Sequence, residues 1–377
     1  MKIMFSAGEA SGDIHAATVA TAIKTQAPSV DLIGMGGTKM AAAGVRILYD
    51  IKHLGFIGAV EIIKKIPFFF KLRDFLVDVI DKERPDVLVC VDYPGFNMKL
   101  MKAAKKRGIP VIYYILPTIW AWHKSRGKEI ARYTDAVASI FPFEAQAYEE
   151  AGANVIFVGH PSLDIVKPTL SLSDSMVYFG VDETAVRVLL MPGSRYQEVR
   201  NLLPLMLDGV EQMAKNHPNM QFFIPRATTI DKALLLEIIG TRPLRITITE
   251  EKTYDVMQCC QAAVVASGTA TLETALMGLP TLLVYRVAPL TFFLGKRFVK
   301  LSYVGLPNII SGHQVIPELL QEAVTPLAIR NEICRIIDDR EYNEKMKQGL
   351  RDVRHKLGDF GAVNRVASLI LQFQKGI

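Results

Sequence analysis

The chain has 377 residues, half of them hydrophobic and 22% charged, with 44 basic and 38 acidic side chains and a net charge of +6. This composition excludes a disordered or fibrous protein and predicts packed globular domains, more than one at this length. The modest positive excess suits anionic ligands or an anionic membrane surface. It is too weak, without any nucleic-acid-reading motif, to predict a nucleic-acid partner.

Residues 2–7 are too short for a signal-peptide core, and no apolar run approaches the length of a membrane span, so any membrane contact is expected to be peripheral. The four cysteines, Cys90, Cys259, Cys260 and Cys334, show no metal-binding or disulfide spacing, which predicts a reducing cytosol.

Residues 3–7 read as a first strand, Gly8-Glu9-Ala10-Ser11-Gly12-Asp13 as a tight turn, and 14–25 as a helix. Strand, glycine turn and helix open a doubly wound domain. The third glycine of a dinucleotide fingerprint is absent, which disfavours a nicotinamide cofactor. A phosphate could still sit at the helix start if Glu9 and Asp13 face away or act on a hydroxyl.

Residues 31–37 form a strand and loop, and 40–44 a short helix. The pattern over 54–84 is helical, broken by Pro67. At its centre, Ile62 to Arg73, apolar residues interleave with cations, and Ile66, Phe68, Phe69, Phe70, Lys71 and Arg73 are the candidate membrane contacts. Three consecutive phenylalanines are not expected to share one core stripe. A helix with a core stripe and a solvated basic face is the competing reading.

The run 86–91 is a buried parallel strand that delivers Asp92-Tyr93-Pro94-Gly95-Phe96-Asn97 to its carboxyl end, where doubly wound folds place ligands. Shielded from water, Asp92 could work as a general base; a turn or cap aspartate is the alternative. After a strand at 109–116, Pro117-Thr118-Ile119-Trp120-Ala121-Trp122-His123 carries both tryptophans. These suit stacking on a sugar, packing on an acyl chain, or a lid on the core, and His123 reads as a surface residue. Strands follow at 136–140 and 155–158.

The polar segment 167–175 marks a domain boundary. Strand–turn–helix logic then restarts, with strands at 188–191, 221–225, 245–249, 262–266 and 281–286, and helices past Pro317. The predicted domains are 1–168, 169–340 and a helical tail 341–377 that crosses back to the first domain.

In the second half, Gly193, Ser194 and Arg195 follow a strand, where the guanidinium can meet a diphosphate bidentately. Ser267, Gly268 and Thr269 start a helix whose free N–H groups can hold an anion, and Glu273, one turn on, can accept from a ribose diol. An ordinary N-capped crossover helix is the alternative. Arg286 and Asn308 are secondary donor-side candidates, although Asn308 also fits a simple turn residue. No Asp-x-Asp metal pair lies near a strand end, so neither metal nor cofactor is predicted. Two α/β domains facing across a cleft, a metal-free diphosphate site and a basic, greasy first half suggest a two-domain glycosyltransferase with an amphiphilic acceptor.

Eight motifs then carry a resemblance. They are Ala7-Gly8-Glu9-Ala10-Ser11-Gly12-Asp13, Asp92-Tyr93-Pro94-Gly95-Phe96-Asn97, Pro117-Thr118-Ile119-Trp120-Ala121-Trp122, Phe141-Pro142-Phe143-Glu144, Val158-Gly159-His160-Pro161, Leu190-Met191-Pro192-Gly193-Ser194-Arg195, Ala266-Ser267-Gly268-Thr269-Ala270-Thr271-Leu272-Glu273 and Leu306-Pro307-Asn308. In this order, across nearly the whole chain, they resemble the lipid-A-disaccharide synthases. The resemblance implies two facing doubly wound, Rossmann-like domains of the glycosyltransferase B type, with UDP-2,3-diacylglucosamine as donor and 2,3-diacylglucosamine 1-phosphate as acceptor. UDP leaves and the linkage inverts to β, without a metal. Asp92 and Arg195 match the family's essential pair, read as base and UDP stabiliser. Glu273 is expected to hold ribose, and Gly8, Glu9, Ser11 and Asn97 to line the acceptor side. His123 departs from the arginine expected after Trp-Ala-Trp. The family is peripheral on the cytoplasmic side of the inner membrane, so a phospholipid surface is an expected partner, and a homodimer stays open. An epimerase acting on a UDP-sugar, or a non-catalytic binding protein on the same scaffold, remain as alternatives.

Overall fold

The computed structural model describes residues 1–54, 66–117, 124–215, 217, 219–287 and 302–373. The chain divides into two compact units, Met1–Asp164 with Leu357–Ile377, and Ile165–Lys356.

Among its described residues, the first unit contains seven strands: β1 (Lys2–Ala7), β2 (Asp31–Gly36), β3 (Arg46–Asp50), β4 (Val87–Val91), β5 (Val111–Tyr114), β6 (Ala136–Ser139) and β7 (Val155–Phe157). They form one parallel sheet in the order β3-β2-β1-β4-β5-β6-β7. The central strands are continuous apolar runs because helices cover both faces; every residue of β4 is buried. The strand order reverses between β1 and β4. There, Ala7 pairs with Val91, so Gly8-Glu9 and Asp92 leave the sheet side by side.

The second unit contains β8 (Val186–Met191), β9 (Met220–Pro225), β10 (Ile246–Thr249), β11 (Ala262–Ala266), β12 (Thr281–Tyr285) and β13 (Glu318–Leu320), parallel in the order β10-β9-β8-β11-β12-β13. Its reversal lies between β8 and β11. Val265 pairs with Met191 and Ala266 with Val284, which brings out the turns after β8, β11 and β12 together.

Two expectations about the domains change. The segment around Thr169 is anchored into the second unit by Asp255. That carboxylate accepts from Thr169 N (2.7 Å), Thr169 Oγ1 (2.9 Å) and Leu170 N (2.6 Å), so the division falls earlier, after Asp164 rather than after 168. Of the tail 341–377, the helix Arg340–Lys356 belongs to the second unit and buries Met346, Leu350 and Val353 there. Among the described residues of the tail, Leu357 onward belongs to the first unit, where the helix Ala362–Leu371 packs against the helix Ala10–Gln26. Asp164 accepts from Gly361 N at 2.6 Å, and Arg365 Nε donates to Val158 O at 2.8 Å, which ties this return in place.

The strands Arg46–Asp50 and Glu318–Leu320 lay outside the sequence expectations. Both are edge strands with half-exposed, mixed-polarity residues and no clean period. Pro67 lies within the helix Ile66–Glu83. Among the described residues, no helix is long and apolar enough to cross a membrane.

Candidate active site

At the first reversal point, Asp92 and Tyr93 both adopt left-handed backbone conformations, with φ of 49° and 50°. Each such residue costs on the order of 1–3 kcal/mol and persists only where its surroundings over-determine it. Here they do. Asp92 N donates to Tyr114 O at 3.1 Å, while Asp92 O accepts from Tyr113 Oη at 2.9 Å and from Asn97 Nδ2 at 2.7 Å. Tyr93 then caps the helix Pro94–Lys106, whose first residue is a proline already set for helix.

Asn97 is fully buried, and its amide is spent inside the fold. Its Oδ1 accepts from Ser6 Oγ at 2.6 Å, and its Nδ2 donates to Ser6 O, Val91 O and Asp92 O. The expected acceptor contact is therefore corrected: Asn97 clamps the ends of β1 and β4 and positions Asp92.

Burial raises the Asp92 carboxyl above the ordinary carboxylate range, offset in part by a hydrogen bond from Tyr93 N–H. Glu9, at the start of the helix Ala10–Gln26, is raised by burial first and then by the negative charge of Asp92. Burial, followed by Glu9 and Tyr49, pushes the Tyr93 phenol up to about 12. Gly8 lies beneath that ring: a β-carbon there would stand 2.0 Å from Tyr93 Cδ1. Ser11 is exposed on the first helical turn, beside the switch point. Asp13 is turned away and accepts from Gly37 N (2.7 Å), Lys39 N (3.0 Å) and Met40 N (3.1 Å), which starts the short helix Thr38–Ala42.

On the helix Ile66–Glu83, Phe68 and Phe69 pack against the core while Phe70 turns outward, in line with the expectation that the three could not share one core stripe. Phe70 is 40% exposed, with the Arg73 guanidinium 5.0 Å and Lys99 Nζ 4.5 Å from its ring centre. Lys71 and Phe75 are exposed on the same helix. The side chain of Ile66, together with Ile62 to Lys65, Trp120, Trp122 and His123, lies outside the described residues.

In the second unit, Gly193 takes φ 109°, a conformation side-chain-bearing residues rarely adopt, and a β-carbon would come within 2.5 Å of Glu198 Oε2. Ser194 is exposed, and its carbonyl accepts from Thr229 Oγ1 at 2.6 Å. Arg195 precedes the helix Tyr196–Ala214. Its side chain is 82% exposed and pairs with Glu198 at 2.7 Å. An exposed pair of this kind contributes about 0–1 kcal/mol, so a diphosphate can compete for the guanidinium.

After β11, Gly268 starts the helix Thr269–Leu276 at φ 150°, with no side-chain cap and with nothing within 4 Å of an added β-carbon. Ser267 and Thr269 flank it. This places uncapped N–H groups at an approachable surface, the arrangement that binds phosphate oxygens. Glu273 is half-buried one turn on. Burial raises its carboxyl, and Tyr254 Oη, at 3.5 Å, offsets this in part. Arg286 is exposed just past β12.

Asn308 is corrected in the same way as Asn97. It is fully buried; its Oδ1 accepts from Val315 N (2.7 Å) and Ile316 N (2.9 Å), and its Nδ2 donates to Ile316 O (2.8 Å) and Glu318 Oε1 (2.7 Å). Its side chain holds the loop into β13 and has no valence left for a ligand. Tyr93, Tyr113 and Ser6 are site-building residues that the sequence reading missed. Tyr113 and Ser6 stand in apolar strand runs without any local signal, whereas Tyr93 lies inside the Asp92–Asn97 motif.

The sequence profile described as lipid-A-disaccharide synthetase matches residues 3–373. The chain is 40% identical over 371 residues to the lipid-A-disaccharide synthase of Geobacter sulfurreducens, covering 98% of this chain and 97% of that one. To the Trichlorobacter lovleyi enzyme of the same name it is 41% identical over 374 residues, with the same coverages. Among solved structures, it is similar to the UDP-GlcNAc 2-epimerase of Neisseria meningitidis bound to UDP-GlcNAc. That match has a TM-score of 0.67 and 14% identity, and covers 99% of this chain and 100% of that one. It is also similar to a glycosyltransferase from Rickettsia africae, with a TM-score of 0.61, 12% identity, and coverage of 100% and 99%. At such identities these structures establish a shared fold.

Proposed function

The chain belongs to the lipid-A-disaccharide synthase family and is a glycosyltransferase, and from that premise we propose that it transfers 2,3-diacylglucosamine from UDP-2,3-diacylglucosamine to 2,3-diacylglucosamine 1-phosphate. Asp92 accepts the proton of the attacking acceptor hydroxyl. The observation that carries this is its carboxylate at the end of β4, raised by burial on a backbone clamped by Asn97 and Tyr113. The raised pKa brings the base nearer the working pH, and the clamp fixes its direction. Gly8, Glu9 and Ser11 border the acceptor, and Glu9 suits a hydrogen bond to a sugar hydroxyl.

The second unit receives the donor. Gly193, Ser194 and Arg195, with the helix start at Ser267, Gly268 and Thr269, hold the diphosphate, and Arg286 adds a second cation. Arg195 and the helix N–H groups stabilise negative charge as UDP departs, a role that needs no metal. Glu273 accepts from the ribose hydroxyls. Attack opposite the leaving UDP inverts the anomeric centre to β.

Both substrates carry acyl chains. The exposed Phe70 and Phe75, with Lys71, Arg73 and Lys99 around them, suit peripheral contact with the phospholipids of the inner membrane from the cytoplasmic side.

The test is UDP release from UDP-2,3-diacylglucosamine in detergent, with and without the monosaccharide phosphate. Acceptor-dependent release with a disaccharide product is expected. Release of UDP without acceptor, together with a free or epimerised sugar, would overturn the transferase assignment.

A further inference from the structure

We propose that His217, Cys334 and Asp338 form a three-ligand site for a borderline-soft divalent cation of the zinc type, on the second unit and apart from the transferase residues. One ligand atom from each of these side chains lies within 4.8 Å of the other two. His217 Nε2 stands 3.7 Å from Asp338 Oδ2, close to the edge of a ligand tetrahedron with bonds of about 2.0–2.3 Å.

The fold brings them together in two steps. Cys334 and Asp338 are four residues apart on the helix Pro326–Asp338, so they share one face and chelate as a pair. That helix packs closely on Tyr196–Ala214, with Gly209 so near that a β-carbon would stand 2.9 Å from Ile329 Cγ2. From this crossing, eight residues lead to His217 and seven to the middle of the Cys334–Asp338 pair. Those are similar rises of roughly 10–12 Å along helices running the same way. His217 N still bonds Met213 O at 3.1 Å, which carries the helical path to the ligand.

The donor set selects the metal. One sulfur, one imidazole nitrogen and one carboxylate oxygen suit zinc or cobalt and are a poor match to magnesium or calcium, which require mostly oxygen. Binding replaces the thiol proton of Cys334 with the metal and releases that proton to solvent. A fourth position is left for solvent. The site lies at the far end of the 196–214 helix, roughly 30 Å along it from Arg195. It therefore acts as a clip between two helices and not in turnover.

The test is a cobalt(II) titration of the reduced, metal-stripped full chain. We expect one equivalent to give a near-ultraviolet sulfur-to-cobalt charge-transfer band and tetrahedral visible bands, both abolished by zinc. Cys334→Ser removes the charge-transfer band, and His217→Ala and Asp338→Asn each weaken binding by at least about tenfold. Zinc raises the melting temperature of the wild type with kcat unchanged. The absence of the band, or a band that survives Cys334→Ser and is lost on changing Cys259 or Cys260, overturns the assignment. Should Cys334→Ser fail to fold, the exposed Asp338→Asn decides: an affinity equal to wild type also overturns it.

Discussion

The turns after β4 and β8 each flank the reversal point of a parallel sheet, yet they are held in opposite ways. After β4 the backbone is forced into two left-handed residues and clamped by the buried side chains of Asn97 and Tyr113, so the Asp92 carboxylate is aimed and partly desolvated. After β8 a glycine supplies the unusual conformation, and Arg195 extends into solvent against a single surface carboxylate. The difference matches the chemistry. A base must be directed and have its pKa tuned before substrate arrives. A cation that meets a mobile, strongly charged diphosphate needs reach more than rigidity, and the ligand's own charge completes its geometry.

The sharpest way to break this comparison is Asp92→Asn, which should lower kcat by about 10²–10⁴. Asparagine tolerates the left-handed backbone, so the fold should be kept. Folding raises the Asp92 pKa, so the carboxyl's stabilising contribution is full below its unfolded value and is lost as pH rises through the folded value. The asparagine variant should therefore melt no lower than wild type near neutral pH, with any gain vanishing in acid. Thermal denaturation at both pH values checks this.

Arg195→Ala comes next, with an expected loss of about 10²–10³ in kcat and almost none in stability, since only a surface pair is removed. Steady-state kinetics and melting curves on the same preparation read both. The two asparagines sharpen the contrast between positioning and contact. Asn97→Ala and Asn308→Ala each leave buried groups unpaired and should cost about 1–3 kcal/mol in chemical denaturation. Asn97→Ala should also lower kcat, because Asp92 loses a clamp. If Asn308→Ala abolished donor binding without any stability loss, its side chain would have to touch the donor, and the reading of it as loop support would fail. The smallest expected effect is on the pH profile. The acid limb of kcat/KM should lie above the ordinary carboxylate range, and Asp92→Asn should remove it.

The architecture was legible because β1, β4, β8, β11 and β12 are short apolar runs closed by Gly, Pro or Ser-rich turns, a pattern few other folds produce. The edge strands β3 and β13 were not, since half-exposed edges lack a continuous apolar run. Within the site, Asp92, Arg195 and the Ser267–Thr269 turn could be found because each follows a strand end. Motif membership could not separate side chains that face a ligand from those that brace the turn. Asn97 and Asn308 sit in motifs as Asp92 does, and only their hydrogen-bond partners, 91 and 8 residues away among others, reveal their work. Tyr113 was invisible for the same reason: its hydroxyl matters through a contact 21 residues distant.

The most direct test compares wild type and Asp92→Asn for UDP-sugar binding and for acceptor-dependent UDP release in detergent. The account predicts unchanged donor affinity with turnover reduced by at least about 10². Full turnover in the variant, or a loss of donor affinity as large as the loss of turnover, would contradict the assignment of Asp92 as the pre-aimed base.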